Sequence, residues 1–204
     1  MPKIILAAVA ALLSLTGGWA RADAPHQVGG FVLGTDIADC KDILKLGSGM
    51  PIRYQEYLHQ VEIRPLEGFK SGLIAYGNCH APGRIVQIKL KYGDGSRKFY
   101  DQLLKRFKRR FGEPTEWRGD AFHVVIAWKW SFVDQDNNAI SLTLQHNIKD
   151  EEEKMGNSVK MTMWNLIEDE RRCYRQKRPD AVDGGSSEMP RKAGKTDWDV
   201  LVPR

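Results

Sequence analysis

Residues 126–132 read IAWKWSF, and the fold turns on which side of the chain these aromatics occupy. Alternation at period two puts Val124, Ile126, Trp128, Trp130 and Phe132 on one face. The other face carries Val125, Ala127, Lys129, Ser131 and Val133. A uniformly apolar strand face needs a cover, so the aromatics are expected in a core rather than on a ligand platform. A polar turn, DQDNN at 134–138, follows. AISLTLQHNI at 139–148 then returns with Ile140, Leu142, Leu144 and Ile148 against Ser141, Thr143, Gln145 and Asn147. Two alternating runs around a polar turn predict a β-hairpin.

The cover is found upstream. SRKFYDQLLKRFKRRFG at 96–112 carries Tyr100, Leu103, Leu104, Phe107 and Phe111 at helical spacing. Asp94 or Ser96 can cap its start, and Gly112 with Pro114 stops it. Lys105, Arg106, Lys108, Arg109 and Arg110 crowd its C-terminal half, where the helix dipole favours cations. Earlier segments at 56–64, 71–79 and 84–92 read as strands. RIVQIKLKY alternates cleanly, with Val86, Ile88, Leu90 and Tyr92 against Gln87, Lys89 and Lys91. Residues 158–166 predict a further strand, and 168–176 a terminal helix or an extension of that strand. TDIADCKDILKLG predicts a helix capped by Thr35 or Asp36, with Ile37, Cys40, Ile43 and Leu44 on one face. The expected fold is α+β: a single antiparallel sheet of about six strands, packed by one long amphipathic helix and one or two shorter helices.

A chain of 204 residues, 42% of them hydrophobic, has material for one domain with a real core. Residues 1–24 have the order of a secretory signal peptide: Lys3, an apolar run over 4–15, then Ala22-Asp23-Ala24. That run is shorter than the roughly 20 apolar residues a bilayer span takes. Export is therefore expected, to the periplasm in a Gram-negative cell, with cleavage after Ala24 and no transmembrane span in the mature chain. Residues 25–176 form the expected domain. From residue 177 onward, Pro, Gly, Ser and mixed charges predict a disordered polar tail. Residues 201–204, LVPR, match a thrombin recognition sequence and are set aside.

Three cysteines in an exported chain permit one disulfide and leave one thiol. Cys79–Cys173 would tie a late element to the middle of the chain, and Cys40–Cys79 is the competing pairing. No C-x-x-C occurs, so a thioredoxin-type redox pair has no support.

Motifs for chemistry are sparse. There is no G-x-S-x-G, no phosphate-binding glycine loop and no HExxH, and nothing calls for a cofactor. Enzyme activity is disfavoured, since only a dispersed site, as in a periplasmic hydrolase, would escape such signatures. DQDNNA resembles the first half of a calcium loop, but Ala139 stands where Gly is required and Gln145 where a bidentate Glu is. His123 and His146 lie near the open end of the hairpin, where a metal-stabilised module would need them with further ligands. Trp117, in a loop, and Trp164, out of phase with Met161 and Met163, are the aromatics placed to stack on a ligand. The net charge of +5 is mild, and the aromatics do not interleave with the basic residues as in single-strand nucleic-acid binders.

The stretches GFVLGTDIADCKDIL, GRIVQIKLKY, RFGEPTEWRGD and AWKWSF, within about residues 28–175, resemble uncharacterised exported bacterial proteins. GFVLG before a short helix also resembles small α+β envelope proteins, including outer-membrane assembly lipoproteins, although no cysteine stands where a lipid anchor would be. The resemblance implies a periplasmic location and an interaction role, and supplies no catalytic residue. The functional expectation is a non-enzymatic binding or envelope-assembly module for an unidentified protein or envelope component. Lys89, Lys91, Lys129, Thr143 and Gln145 would be its wet sheet face. Lys105, Arg106, Lys108 and Arg109 offer a second surface for an anionic partner.

Overall fold

A computed structural model of the chain describes residues 23–121, 124–147 and 156–178. The stretch expected to be a signal peptide, up to residue 22, the expected tail from residue 179, His123 and Ile148 lie outside them, and Lys177, expected in the tail, ends a helix instead. The short strands β1 (Gln27–Val28) and β2 (Phe31–Val32) pair as a separate two-stranded sheet. Eight further strands are β3 (Met50–Ile52), β4 (Gln55–Glu62), β5 (Phe69–Gly77), β6 (Ile85–Tyr92), β7 (Glu116–Trp117), β8 (Val125–Val133), β9 (Ala139–Asn147) and β10 (Asn157–Met163). Helix α1 (Arg97–Phe111) lies between β6 and β7, and α2 (Trp164–Lys177) follows β10. The large sheet is antiparallel throughout, in the order β3-β4-β5-β6-β10-β9-β8-β7. β10 thus inserts between β6 and β9 and joins the two halves of the sheet.

The predicted α+β architecture holds, with a larger sheet than the expected six strands. The additions are the edge strands β3 and β7, three and two residues long. Neither is long enough to show a readable alternation. Short edge strands limit the unpaired backbone offered to another chain.

One face of the sheet is the core. Ile74, Ile88, Leu90, Ile140, Leu142, Leu144, Trp130, Val159 and Met161 are buried there. Helix α1 covers it, starting at Ser96, whose hydroxyl accepts from the Phe99 N–H at 3.2 Å. Leu103, Leu104, Phe107 and Phe111 pack onto the core, with Phe107 5.8 Å from Trp130 and Phe111 5.8 Å from Phe132. Trp130 is 1% exposed and donates its indole N–H to the Gly112 carbonyl at 2.8 Å, pinning the helix end. The hairpin aromatics are core, as the alternation requires.

His146 belongs to the same core. Its ring stacks on Tyr100 at 5.3 Å, and its Nδ1 lies 2.7 Å from Oδ1 of Asn157. The Asn157 amide donates to the carbonyls of Asp94 and Ser96 at 2.8 and 2.9 Å. The pair joins β9 and β10 to the start of α1.

Two local expectations fail. Residues Ile37–Ile43 form 3-10 turns broken at Cys40 rather than an α-helix. Asp36 does cap them, accepting from the Ala38 N–H at 2.8 Å, but the chain turns extended at Leu44, which pairs with Ile63. The strand expected over 158–166 stops at Met163, and Trp164 opens α2 instead. A 14-residue helix at 164–177 stands where a short terminal element was expected.

Helix α2 packs on the opposite face of the sheet, over β4 to β6. Leu166, Ile167 and Tyr174 meet Tyr57, Leu58, Ala75 and Val86. In the middle of this contact sits a carboxylate. Glu170 is 2% exposed. One of its oxygens accepts from the backbone N–H groups of Asn78, Cys79 and His80 at 3.1, 2.6 and 3.0 Å. The other accepts from the Ala81 N–H at 2.6 Å. One helical turn on, Cys173 bonds Cys79, so the second pairing considered above gives way to Cys79–Cys173. Cys40 is the free thiol. Burial, then the charges of Asp39 and Asp36, raise its pKa and hold it protonated.

Four hydrogen bonds to one buried carboxylate leave several orphan donors if it is removed. Glu170→Gln is expected to lower the unfolding free energy by about 2–4 kcal/mol, because the amide nitrogen faces N–H donors. Gly77→Ala is expected to destabilise as well, since a Cβ there would stand 2.3 Å from the Glu170 carboxylate. Urea unfolding measures both. By the same method Trp130→Ala should cost about 3–5 kcal/mol, and Trp164→Ala, at an exposed site, under about 1 kcal/mol.

Candidate binding face

Helix α2 covers one end of the second sheet face, and among the described residues no other element covers the rest. Trp164, half exposed, lies at the boundary and donates its indole N–H to the Ser141 hydroxyl at 3.0 Å. Below it Thr162, almost fully buried, donates to the side-chain oxygen of Gln87 at 3.2 Å. Trp164 thus caps the edge of the helix–sheet contact with one ring face in solvent.

Beyond Trp164 the strand register builds a row across seven strands: Glu62, Leu73, Lys89, Lys160, Thr143, Lys129 and Glu116. The next row holds Ser71, Lys91, Ser158, Gln145 and Ala127. All five wet-face residues named from the sequence therefore share this surface. The register adds Lys160, which the alternation of 158–163 also puts opposite Val159 and Met161. It adds Arg118 too, whose backbone N–H continues the β7–β8 pairing by donating to the Ala127 carbonyl at 2.9 Å. Strand spacing of about 4.8 Å places Lys89 and Lys129 roughly 14 Å apart, with Lys160 between them.

The charges on this face are unevenly matched. Glu116 accepts from Arg118 at 2.7 Å and from Lys129 at 3.3 Å. The Arg118 hydrogen bond is the main reason its carboxyl is held below the usual glutamate range. Lys89 and Lys160 stand directly opposite each other on β6 and β10, and neither forms an ion pair among the described residues. Facing cross-strand positions lie about 5 Å apart at Cβ, and like charges there destabilise the sheet. The Lys160 ammonium titrates below its ordinary range. Desolvation is the first cause, followed by the positive charges of Lys89, Arg118 and Lys129. This is an electropositive surface built by the backbone register, not by a run of basic residues in the sequence.

The other sequence candidates are placed elsewhere. Trp117 is in β7, not in a loop, and sits edge-on against Trp128 at 4.7 Å on the core side. Lys105, Arg106 and Arg109 are exposed on α1, behind the opposite face of the sheet. Lys108 reaches Glu113 at 2.6 Å and hangs over the Trp128 ring. Among the described residues no three His, Cys, Asp or Glu side chains are grouped to hold a metal ion. The Asp134 side chain, first in the calcium-like turn, accepts from Asp136 N–H, Asn138 N–H and the Asn138 amide at 2.8–2.9 Å. Those bonds shape the turn, with Asn137 at φ 61°.

No family model, no curated protein and no solved structure matches the chain.

The electrostatic coupling on that face is measurable. In an NMR titration of lysine side chains, Lys160 should lose its proton at lower pH than the exposed lysines of α1. Lys89→Met should raise the Lys160 midpoint, because a neighbouring cation is gone. The sign for stability follows. A lysine whose folded pKa is depressed opposes folding while charged in both states, and that penalty lifts as pH rises through its folded midpoint toward the unfolded value.

Proposed function

We propose that the chain is an exported, non-enzymatic binding module that docks an anionic partner on the open sheet face. The observation that carries this reading is the Lys89–Lys160 pair. Two cations are set opposite each other, without a carboxylate among the described residues, at a position where the sheet would be more stable with a neutral pair. A bound anion supplies the missing charge. Lys129, Arg118 and Lys91 extend the same field on either side, and Thr143 and Gln145 offer hydrogen bonds between them.

The export signal at 1–24 and the resemblance to exported envelope proteins support an extracytoplasmic site of action. The Cys79–Cys173 bond is consistent with an oxidising compartment. The partner chemistry is a polymer or protein surface carrying repeated negative charge. Point-charge ammonium groups spaced by strand register suit such a surface better than a single planar anion, which arginine forks recognise. The α1 surface has a simpler explanation, because its cations complement the helix dipole.

The test uses heparin as a generic linear polyanion. Wild-type protein should be retained, with affinity falling steeply as salt rises. Reversing Lys89 and Lys160 together to glutamate should weaken retention by at least about tenfold. Reversing Lys105 and Arg106 on α1 should change it far less. Equal losses from the two double variants would leave only net charge as the cause and refute the assignment.

A further inference from the structure

The open face has a depression at one side. Beside Lys89 a hollow of about 350 Å³ is lined by Lys45, Lys70, Leu73, Lys89 and Lys91 among others, with Pro65 and Ser71 on its walls. Its lining mixes cations with apolar carbon, and one carboxylate, Glu62, shares it. Leu73 is the distinctive member. It is 36% exposed, and its direct cross-strand neighbours are the charged Glu62 and Lys89.

A backbone irregularity shapes the hollow. The β5–β6 register shifts between Phe69 and Ser71, which pair with Tyr92 and Lys91, so Lys70 is an extra residue in β5. Such a bulge re-aims side chains. Here Phe69 stays on the core side, stacked on Tyr92 at 5.0 Å, while Lys70 and Ser71 both line the hollow. The rim is closed by Lys45, held at 3.0 Å by Glu62. Lys70, like Lys89, has no ion pair among the described residues.

A site with an apolar wall and a few convergent charges is the usual construction of a small-ligand pocket. This volume holds roughly a dozen water-sized groups, since each takes about 30 Å³. We propose that the hollow binds an amphiphilic anion: a phosphate-like head between Lys70 and Lys89, and a short stretch of alkyl chain along Leu73 and Pro65. The inference rests on the reading of the open face as an anion-docking surface and names the ligand chemistry of this hollow. The head could be presented by a free alkyl anion or by a lipid headgroup at a membrane surface. Both have the same chemistry, and the experiment separates them.

Calorimetric titration of the full chain with n-octyl phosphate, kept below its aggregation concentration, is the first arm. Inorganic phosphate and n-octanol are the controls. Octyl phosphate should bind at least about tenfold more tightly than either control. Lys70→Glu and Leu73→Ser should each weaken it by about tenfold, while Lys105→Glu, on α1 behind the other face, leaves it unchanged. Leu73→Ser is at an exposed position, so its fold can be verified by an unaltered unfolding curve. The second arm is co-sedimentation with phosphatidylglycerol vesicles. Vesicle binding that depends on Leu73 assigns the head to a lipid surface. Octyl phosphate binding without vesicle binding assigns it to a free amphiphile. Octyl phosphate binding no tighter than phosphate, or indifferent to Leu73→Ser, overturns the inference. Heparin retention that remains sensitive to Lys160 in that case would leave the docking face standing and remove only the pocket. Loss of both would remove both.

Discussion

The buried carboxylate of Glu170 decides which parts of the sheet are covered. Its two oxygens take the N–H groups of four consecutive residues in the β5–β6 connection, and Cys173 bonds that same loop one turn later. A charge-assisted bond is about twice as strong as a neutral one, and its loss inside a protein strands the donors. Together the carboxylate and the disulfide fix α2 over β4 to β6. The position of α2 then defines the remainder of that face as open. The start of α2 also reaches β9, where Trp164 meets Ser141 and Asn165 accepts from the Ala139 N–H.

The two faces of the sheet therefore serve different ends. The core side is closed by α1 and by the β1–β2 hairpin, and the Trp130 bond to Gly112 and the His146–Asn157 pair are made inside it, while the buried Tyr100 hydroxyl has no partner among the described residues. On the open side Lys129 and Arg118 share Glu116, whereas Lys89 and Lys160 have no ion pair among the described residues. The Lys89–Lys160 opposition costs stability, and it is set by the insertion of β10 between β6 and β9. A sheet assembled from hairpins alone would not have brought those two lysines together.

The sequence foretold some of this and hid the rest for identifiable reasons. The hairpin at 126–147 and the α1 stripe were legible because their periods are long and unbroken. So were Lys89, Lys91 and Lys129, each alternating with buried neighbours. The partnership of Lys89 with Lys160 was not, because strand order is a non-local property and the two residues are far apart in the chain. Trp117 was misplaced because a two-residue edge strand has no period to detect. Glu170 sits in the charged run EDERR at 168–172, where nothing local separates it from its neighbours. A signal was nonetheless present: Leu166, Ile167, Glu170, Cys173 and Tyr174 fall at helical spacing, so the carboxylate interrupts an apolar stripe that also carries a disulfide cysteine.

The proposed docking of an anion at two opposed lysines makes an unusual demand on one residue. Comparing the unfolding free energy and the heparin affinity of Lys160→Thr with those of the wild type tests it most directly. The substitution removes one of two opposed charges and installs a good strand former. The expected result is a protein more stable by about 0.2–1 kcal/mol that has lost much of its affinity. A variant that is less stable than the wild type and binds heparin equally well would contradict the assignment of this face to anion docking.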